Sequence, residues 1–326
     1  MRTFMLTSLI IVLLTGCSAS QLTPSPEQTI SVPTGTSPSS SILSGKILYI
    51  VPGDTVHVFV ADPDGNGAFL VLSGAGIRTA ALSPDGKLVA YIIDDILYVK
   101  DLTDGSTRQL LSEPISGFFK RMEWSPDSEW IGFDCLVNGI SEICAVNIPN
   151  GLLNILTNVK SFGAQFLDGA TFGSWNEDGS KIVYCLKVSN SQGGVPSTRF
   201  MILNIKDSSS IGFMDEKNNL GIVNYGCPVY QSNTQFILFT AKQHTKYMIF
   251  SASITGENIT RITDSLLSYD IHDPIVVSPT GEYFLANAAK QDSNELIDVP
   301  TLFSADGQIV IQLELPGAQV LSWVHE

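Results

Sequence analysis

Residues 82–91, reading Leu-Ser-Pro-Asp-Gly-Lys-Leu-Val-Ala-Tyr, set a tight polar turn between two apolar runs, and that arrangement returns down the chain. Proline presets φ, aspartate bonds nearby backbone amides and glycine accepts positive φ, so the stretch reads as a hairpin. Aligned on it are 123–133 with Ser125-Pro126-Asp127-Ser128, 174–184 with Asn176-Glu177-Asp178-Gly179, and 276–284 with Ser278-Pro279-Thr280-Gly281. A weaker copy at 229–239 carries Gln231-Ser232-Asn233-Thr234. Successive starts lie roughly 42 to 55 residues apart, the period of a propeller blade.

A second segment recurs six times between these turns, at 58–65, 97–105, 144–151, 202–207, 250–256 and 302–307. In each, an alternating apolar strand runs into a polar turn and a further short strand follows, so each period holds four strands and no competing helical pattern. Four-stranded units repeated about an axis form a β-propeller. The chain ends fit a ring. Residues 46–50 match a second strand and lack a first, while 318–323 match a first strand, with Trp323 standing where Trp124 and Trp175 stand. The expected fold is an all-β, six-bladed propeller over 44–326, closed by the C-terminal strand completing the N-terminal blade, which removes an open edge. At 326 residues, 44% hydrophobic and 15% charged, the chain can fill such a core as one unit.

The pattern Trp-Ser-Pro-Asp-x-x-x-Ile-x-Phe at 124–133, with its copies at 82–91 and 175–184, resembles the TolB-type propeller repeat, also called the WD40-like PD40 repeat. The resemblance covers nearly all of the chain after residue 43 and implies architecture. It does not imply one activity, because similar propellers serve as Tol-system components, peptidase companions and lyases. The helical N-terminal domain that accompanies the TolB propeller has no counterpart here, so the likeness is to the propeller and not to TolB itself.

The first residues read as a targeting signal. Met1-Arg2 supplies a positive start, 4–14 is an apolar run short of a membrane span, and Leu14-Thr15-Gly16-Cys17 resembles the lipobox of bacterial lipoproteins. That resemblance implies cleavage after residue 16 and a lipid on Cys17. Residues 17–43, rich in Ser, Thr and Pro, then form a disordered tether that holds the head clear of the bilayer. The expected location is therefore exported and lipid-anchored to a bacterial membrane, with the head facing the periplasm or the exterior. A net charge of −14 argues against nucleic acid or anionic lipid as the main partner of the head, which is expected to be a monomer.

Four further cysteines, Cys135, Cys144, Cys185 and Cys227, permit two disulfides in an exported chain. Cys135 and Cys144 flank the turn signal Asn138-Gly139: a four-residue loop sets them face to face, and a two-residue loop makes them diagonal neighbours. Cys185 and Cys227 meet only if consecutive blades bring them together.

Asp62-Pro63-Asp64-Gly65-Asn66-Gly67 begins like a calcium loop, with Asp62, Asp64 and Asn66 as oxygen donors, but Ser73 stands where the closing glutamate belongs. His57, His244, His272 and His325 are scattered, and no nucleophile elbow, phosphate loop or zinc signature occurs, so no cofactor or metal is expected. In a four-stranded blade the turns after the first and third strands share one face, and these are the short Asp-Gly turns. The other face receives the long connections 158–170, 189–198, 215–224, 264–273 and 290–300, where binding is usually built. Ligand-face candidates there are Asp168, Glu216, Tyr225, Asp270, His272 and Asp273, whereas Trp124, Trp175 and Trp323 are expected between blades. The expected function is a non-catalytic module at the cell envelope that binds a protein, peptide or glycan. The alternative is an extracellular hydrolase or lyase acting on polysaccharide or peptide at the channel mouth.

Overall fold

A computed structural model describes residues 43–117, 121–162, 167–188, 197–215, 221–263, 270–292, 295–315 and 317–325, with the backbone alone at 167–168, 188, 270–273, 289–292 and 295–298. The signal segment, Cys17, nearly all of the tether and Glu216 lie outside these residues. No helix among the described residues is long and apolar enough to cross a membrane.

The strands form six antiparallel sheets arranged as a ring, a six-bladed β-propeller. Each blade buries both of its faces. In the strand Lys46–Val51, Ile47 and Tyr49 pack toward blade 6 while Leu48 and Ile50 pack toward blade 2. Because successive side chains point to opposite faces, burial on both sides turns alternation into near-continuous apolar runs. The core is accordingly six apolar clusters, one between each pair of neighbouring blades.

The C-terminal strand Gln319–Val324 is the innermost strand of blade 1 and pairs with Lys46–Val51, Ile47 opposite Trp323. Trp323 is buried and its Nε1 donates to the Ser44 carbonyl at 3.0 Å, so the two ends of the folded chain are tied together. Trp124 and Trp175 sit at the same strand level in their own blades and bond across blades. Trp124 Nε1 donates to the Ala81 carbonyl (3.0 Å) and Trp175 Nε1 to the Glu123 carbonyl (3.2 Å). Elsewhere a serine does this work: Leu82 N donates to Ser322 Oγ (3.2 Å) and Tyr230 N to Ser174 Oγ (2.7 Å). Trp124, Trp175 and Trp323 lie in inter-blade clusters, as the repeat pattern predicts.

Local chemistry explains the repeated turn. Ser83 Oγ donates to Asp85 Oδ1 (2.7 Å) and accepts from Leu88 N (2.9 Å), while Gly86 takes φ of 70°. Ser125 with Asp127, and Asn176 with Asp178, repeat the network. Hydrogen bonds from Ser180 and Asn176 hold the Asp178 carboxyl below the usual range. Some turn glycines have a second duty. A Cβ on Gly307 would overlap the Ile262 carbonyl of the preceding blade, and one on Gly281 the Ser232 carbonyl, so these positions need close approach as well as positive φ.

Three expectations are corrected. Residues 290–292 and 295–300 are strand and not loop: Tyr283–Asp292 and Glu295–Ser304 pair along their whole length, ending with Asp292 opposite Glu295, so the hairpin ladder continues past the apolar part of the blade. Similarly, 270–273 already belongs to the innermost strand Asp270–Val277. In blade 5 the innermost strand is split into Ile222–Val223 and Val229–Tyr230, and the interruption carries Tyr225 into the core.

Candidate functional site

Six innermost strands surround the axis in the order Gln319–Val324, Ile77–Leu82, Met122–Trp124, Leu167–Trp175, Val229–Tyr230 and Asp270–Val277, each beside the next and the last beside the first. Blade 3 therefore faces blade 6 across the lumen. Arg121, immediately before Met122–Trp124, reaches over that gap, and its Nη1 donates to the Ile275 carbonyl at 2.7 Å. Its Nε donates to Glu123 Oε2 at 3.3 Å. The arginine side chain is 14% exposed and the glutamate 33%. Glu123 thus opens on the lumen while protein surrounds it, and burial pushes its carboxyl up to about 6 against the opposing pull of Arg121.

At the level of Glu123 the other innermost strands carry Ala81, Ser174, Val229, Val276 and Ser322, so one blade alone supplies a charge there. That contrast was visible in the sequence at Arg121-Met122-Glu123, beside the Trp-Ser-Pro-Asp turn, but attention to the long connections passes over it.

The sequence-derived candidates divide. Asp168 lies near the start of Leu167–Trp175, and Asp270, His272 and Asp273 lie in the first half of Asp270–Val277, so four candidates share the entry halves of two innermost strands. These are the halves facing away from the Asp-Gly turns. Tyr225 does not join them: it is buried between Phe200 and Phe239, with ring centroids 5.5 and 5.3 Å away, and is corrected to a core residue. Asp62 is bound by Lys46 Nζ at 2.6 Å and Asp64 accepts from Asn66 N and Nδ2, so this loop spends its carboxylates on a lysine and on its own turn. No group of three His, Cys, Asp or Glu among the described residues is arranged to hold a metal.

Cys135 and Cys144 are bridged, with Cα atoms 5.9 Å apart. Cys135 stands opposite Glu142 and Cys144 opposite Phe133, so the two-residue turn and its diagonal pairing hold. Cys185 is bridged to Cys227, tying the second strand of blade 4 to the interruption in blade 5. The sequence reading passed over the buried carboxylates Glu142 and Asp134. Glu142 accepts from Thr157 Oγ1 (2.6 Å) and Val159 N (3.0 Å), capping the short 3-10 turn Val159–Phe162, a structural duty. A shallow groove of about 490 Å³ lies on the outer edge of blade 4, lined by Arg199, Gly212, Phe213, Met214 and Asp215, and shares no residue with the lumen.

No protein-family model matches the sequence. The architecture does have solved counterparts. The TolB structure from Acinetobacter baumannii superposes with a TM-score of 0.63 at 19% identity, over 85% of this chain and 67% of that one. The propeller is TolB-like. Oligogalacturonate lyases share the architecture: the Vibrio parahaemolyticus enzyme has a TM-score of 0.53 at 14% identity, over 83% of this chain and 74% of its own. A lyase solved with manganese has a TM-score of 0.51 at 15% identity, over 80% and 72%. At these identities the likeness is one of fold, and a fold shared by TolB and lyases does not choose between binding and catalysis.

Proposed function

We propose that this chain is an exported, lipid-anchored propeller that binds a ligand or partner protein at the mouth of its lumen without transforming it. The supporting observation is the place of Arg121: the Ile275 carbonyl holds its guanidinium over the lumen, and a guanidinium, always charged, binds an anionic group without exchanging a proton with it. The lipobox-like Leu14-Thr15-Gly16-Cys17 supports the anchor, and the following Ser, Thr and Pro residues support a tether at the cell envelope. The lyase reading is favoured by one feature, the presence of His272 and several acids on innermost strands.

A thermal-shift screen of the detergent-solubilised chain against sugars, peptides and divalent cations tests binding, because a ligand that prefers the native state raises the midpoint. Incubation with polygalacturonate tests the rival reading, since new unsaturated chain ends would overturn the non-catalytic assignment. Cys17→Ser tests the anchor: the variant is expected in the soluble fraction, and retention in membranes would refute lipidation at that residue.

A further inference from the structure

We propose that Arg121 is the receiving group for a carboxylate at the end of a slender ligand, a place that Glu123 holds in the structure. This rests on the reading of the lumen as the binding site and adds the chemistry of what enters it.

Arg121 spans the lumen, and a guanidinium so enclosed requires an anion. The partner it has is a poor match. Arginine and carboxylate pair best through two parallel bonds of about 2.7 to 2.9 Å, whereas Glu123 offers a single contact at 3.3 Å from Nε. A better fit is barred by covalent geometry. The two residues are two apart on one extended segment, and the Glu123 backbone is fixed by Trp175, whose Nε1 donates to its carbonyl. The Ile275 carbonyl takes Nη1 and holds the guanidinium in place without neutralising it. Arg121 therefore has a fixed position, an unmet preference for a forked anion, and an internal carboxylate that burial already disfavours in its charged form. An incoming carboxylate supplies the fork and leaves Glu123 free to turn to the water of the lumen, where a third of its side chain already lies.

Depth sets the shape of the ligand. Asp270 pairs with Ala289 and Val276 with Leu285, the strand bulging between His272 and Val276, so at about 3.3 Å per residue of the partner strand the guanidinium sits about 10 Å along the lumen from the start of Asp270–Val277. A compact sugar ring presenting its carboxylate sideways does not reach so far between six strands, whereas an extended chain end of about three residues does. The chain's net charge of −14 favours positive charge in the ligand body behind its carboxylate end.

The test uses the full chain in detergent and three probes: an N-acetylated alanine-lysine pentapeptide with a free carboxylate, the same peptide amidated at its C-terminus, and succinate. Isothermal titration is expected to give binding of the free-acid peptide, at least tenfold weaker binding of the amide, and tighter binding by Glu123→Gln, whose neutral side chain no longer competes for Arg121. Arg121→Lys, which keeps the charge and loses the fork, is expected to bind at least tenfold more weakly, with circular dichroism confirming the fold. Succinate separates the sources of the carboxylate: equal binding of succinate and peptide assigns a small acid, and peptide alone assigns a chain end. If amide and acid bind equally, the lumen reading stands and the role of Arg121 is refuted. If neither the wild type nor Glu123→Gln binds any carboxylate probe while other compounds raise the melting midpoint, only this inference fails. If nothing binds at all, the lumen reading falls with it.

Discussion

Closure of the ring concentrates on Trp323. Its side chain is 7% exposed, it packs among residues of blades 1 and 6, and its Nε1 donates to the Ser44 carbonyl at 3.0 Å. Replacing it by alanine removes a large buried aromatic, worth about 3 to 5 kcal/mol, and leaves the Ser44 carbonyl without this donor, worth about 1 kcal/mol more. Whole domains are stable by about 5 to 15 kcal/mol, so Trp323→Ala removes a large share of the total. At roughly 2 to 4 °C per kcal/mol for a protein of this size, the melting midpoint should fall by about 10 °C or more. Trp323→Phe keeps most of the buried surface and loses the donor, and should cost about 1 kcal/mol. Urea unfolding followed by far-ultraviolet circular dichroism measures both. Trp175→Ala is the internal standard, because Trp175 holds the equivalent place between blades 3 and 4, which the chain joins directly. Equal losses at the two sites show that the seam made by the chain ends carries as much as an ordinary inter-blade junction. A loss below about 1 kcal/mol for Trp323→Ala, with several kcal/mol for Trp175→Ala, would refute closure through this strand.

The turn glycines predict a contrast: Gly86→Ala, with positive φ and nothing within 4 Å of the new Cβ, should cost about 1 kcal/mol, whereas Gly307→Ala must also displace the Ile262 carbonyl and should cost at least twice as much; equal losses in denaturant melts would discount the inter-blade contact. Loop-closure entropy ranks the two bridges, since the Cys185–Cys227 pair is separated by 42 residues and Cys135–Cys144 by 9, giving about 4 and about 2.5 kcal/mol; double serine variants compared under oxidising conditions should follow that order. Burial raises Glu123 from 4.5 to about 6, so the native state retains a proton that the unfolded chain has released between those values. Its contribution to stability is then fullest below pH 4.5 and is lost as pH rises through 6, by about 1 kcal/mol once solvent screening of a one-third exposed side chain is allowed for. The stability of the wild type relative to Glu123→Gln should therefore fall between pH 4.5 and 7.5, and a constant or rising difference contradicts the assignment.

What could be read from the chain alone was what local chemistry decides. Ser83, Asp85 and Gly86 close their turn with bonds spanning five residues or fewer, so the motif announces its structure wherever it recurs. Burial on both faces writes each strand as an apolar run, and the tryptophan at 323 marks the missing first strand because it answers to Trp124 and Trp175. The residues that misled are those whose conformation is settled elsewhere. Tyr225 sits among Asn224, Gly226 and Pro228, a composition that reads as a surface turn, yet the bridge from Cys227 to Cys185 fixes that segment against blade 4 and the ring drops into the core. Residues 290–300 are too polar to show a strand period, but a hairpin ladder needs paired backbone groups and tolerates polar side chains where it leaves the core.

The lumen is the extreme case of this distant control. Arg121 and Ile275 are 154 residues apart and belong to repeats whose sequences run in parallel, so nothing within either repeat indicates that one donates to the other. Their meeting follows only from the number of blades: in a six-membered ring the third faces the sixth, and in a ring of seven it would face the gap between two blades. The blade count read from the repeats thus decides which side chain crosses the axis. A functional site at the centre of a propeller is written in the sum of its repeats, with a departure from the repeat, here a glutamate where the other blades carry alanine, serine or valine, as its visible trace.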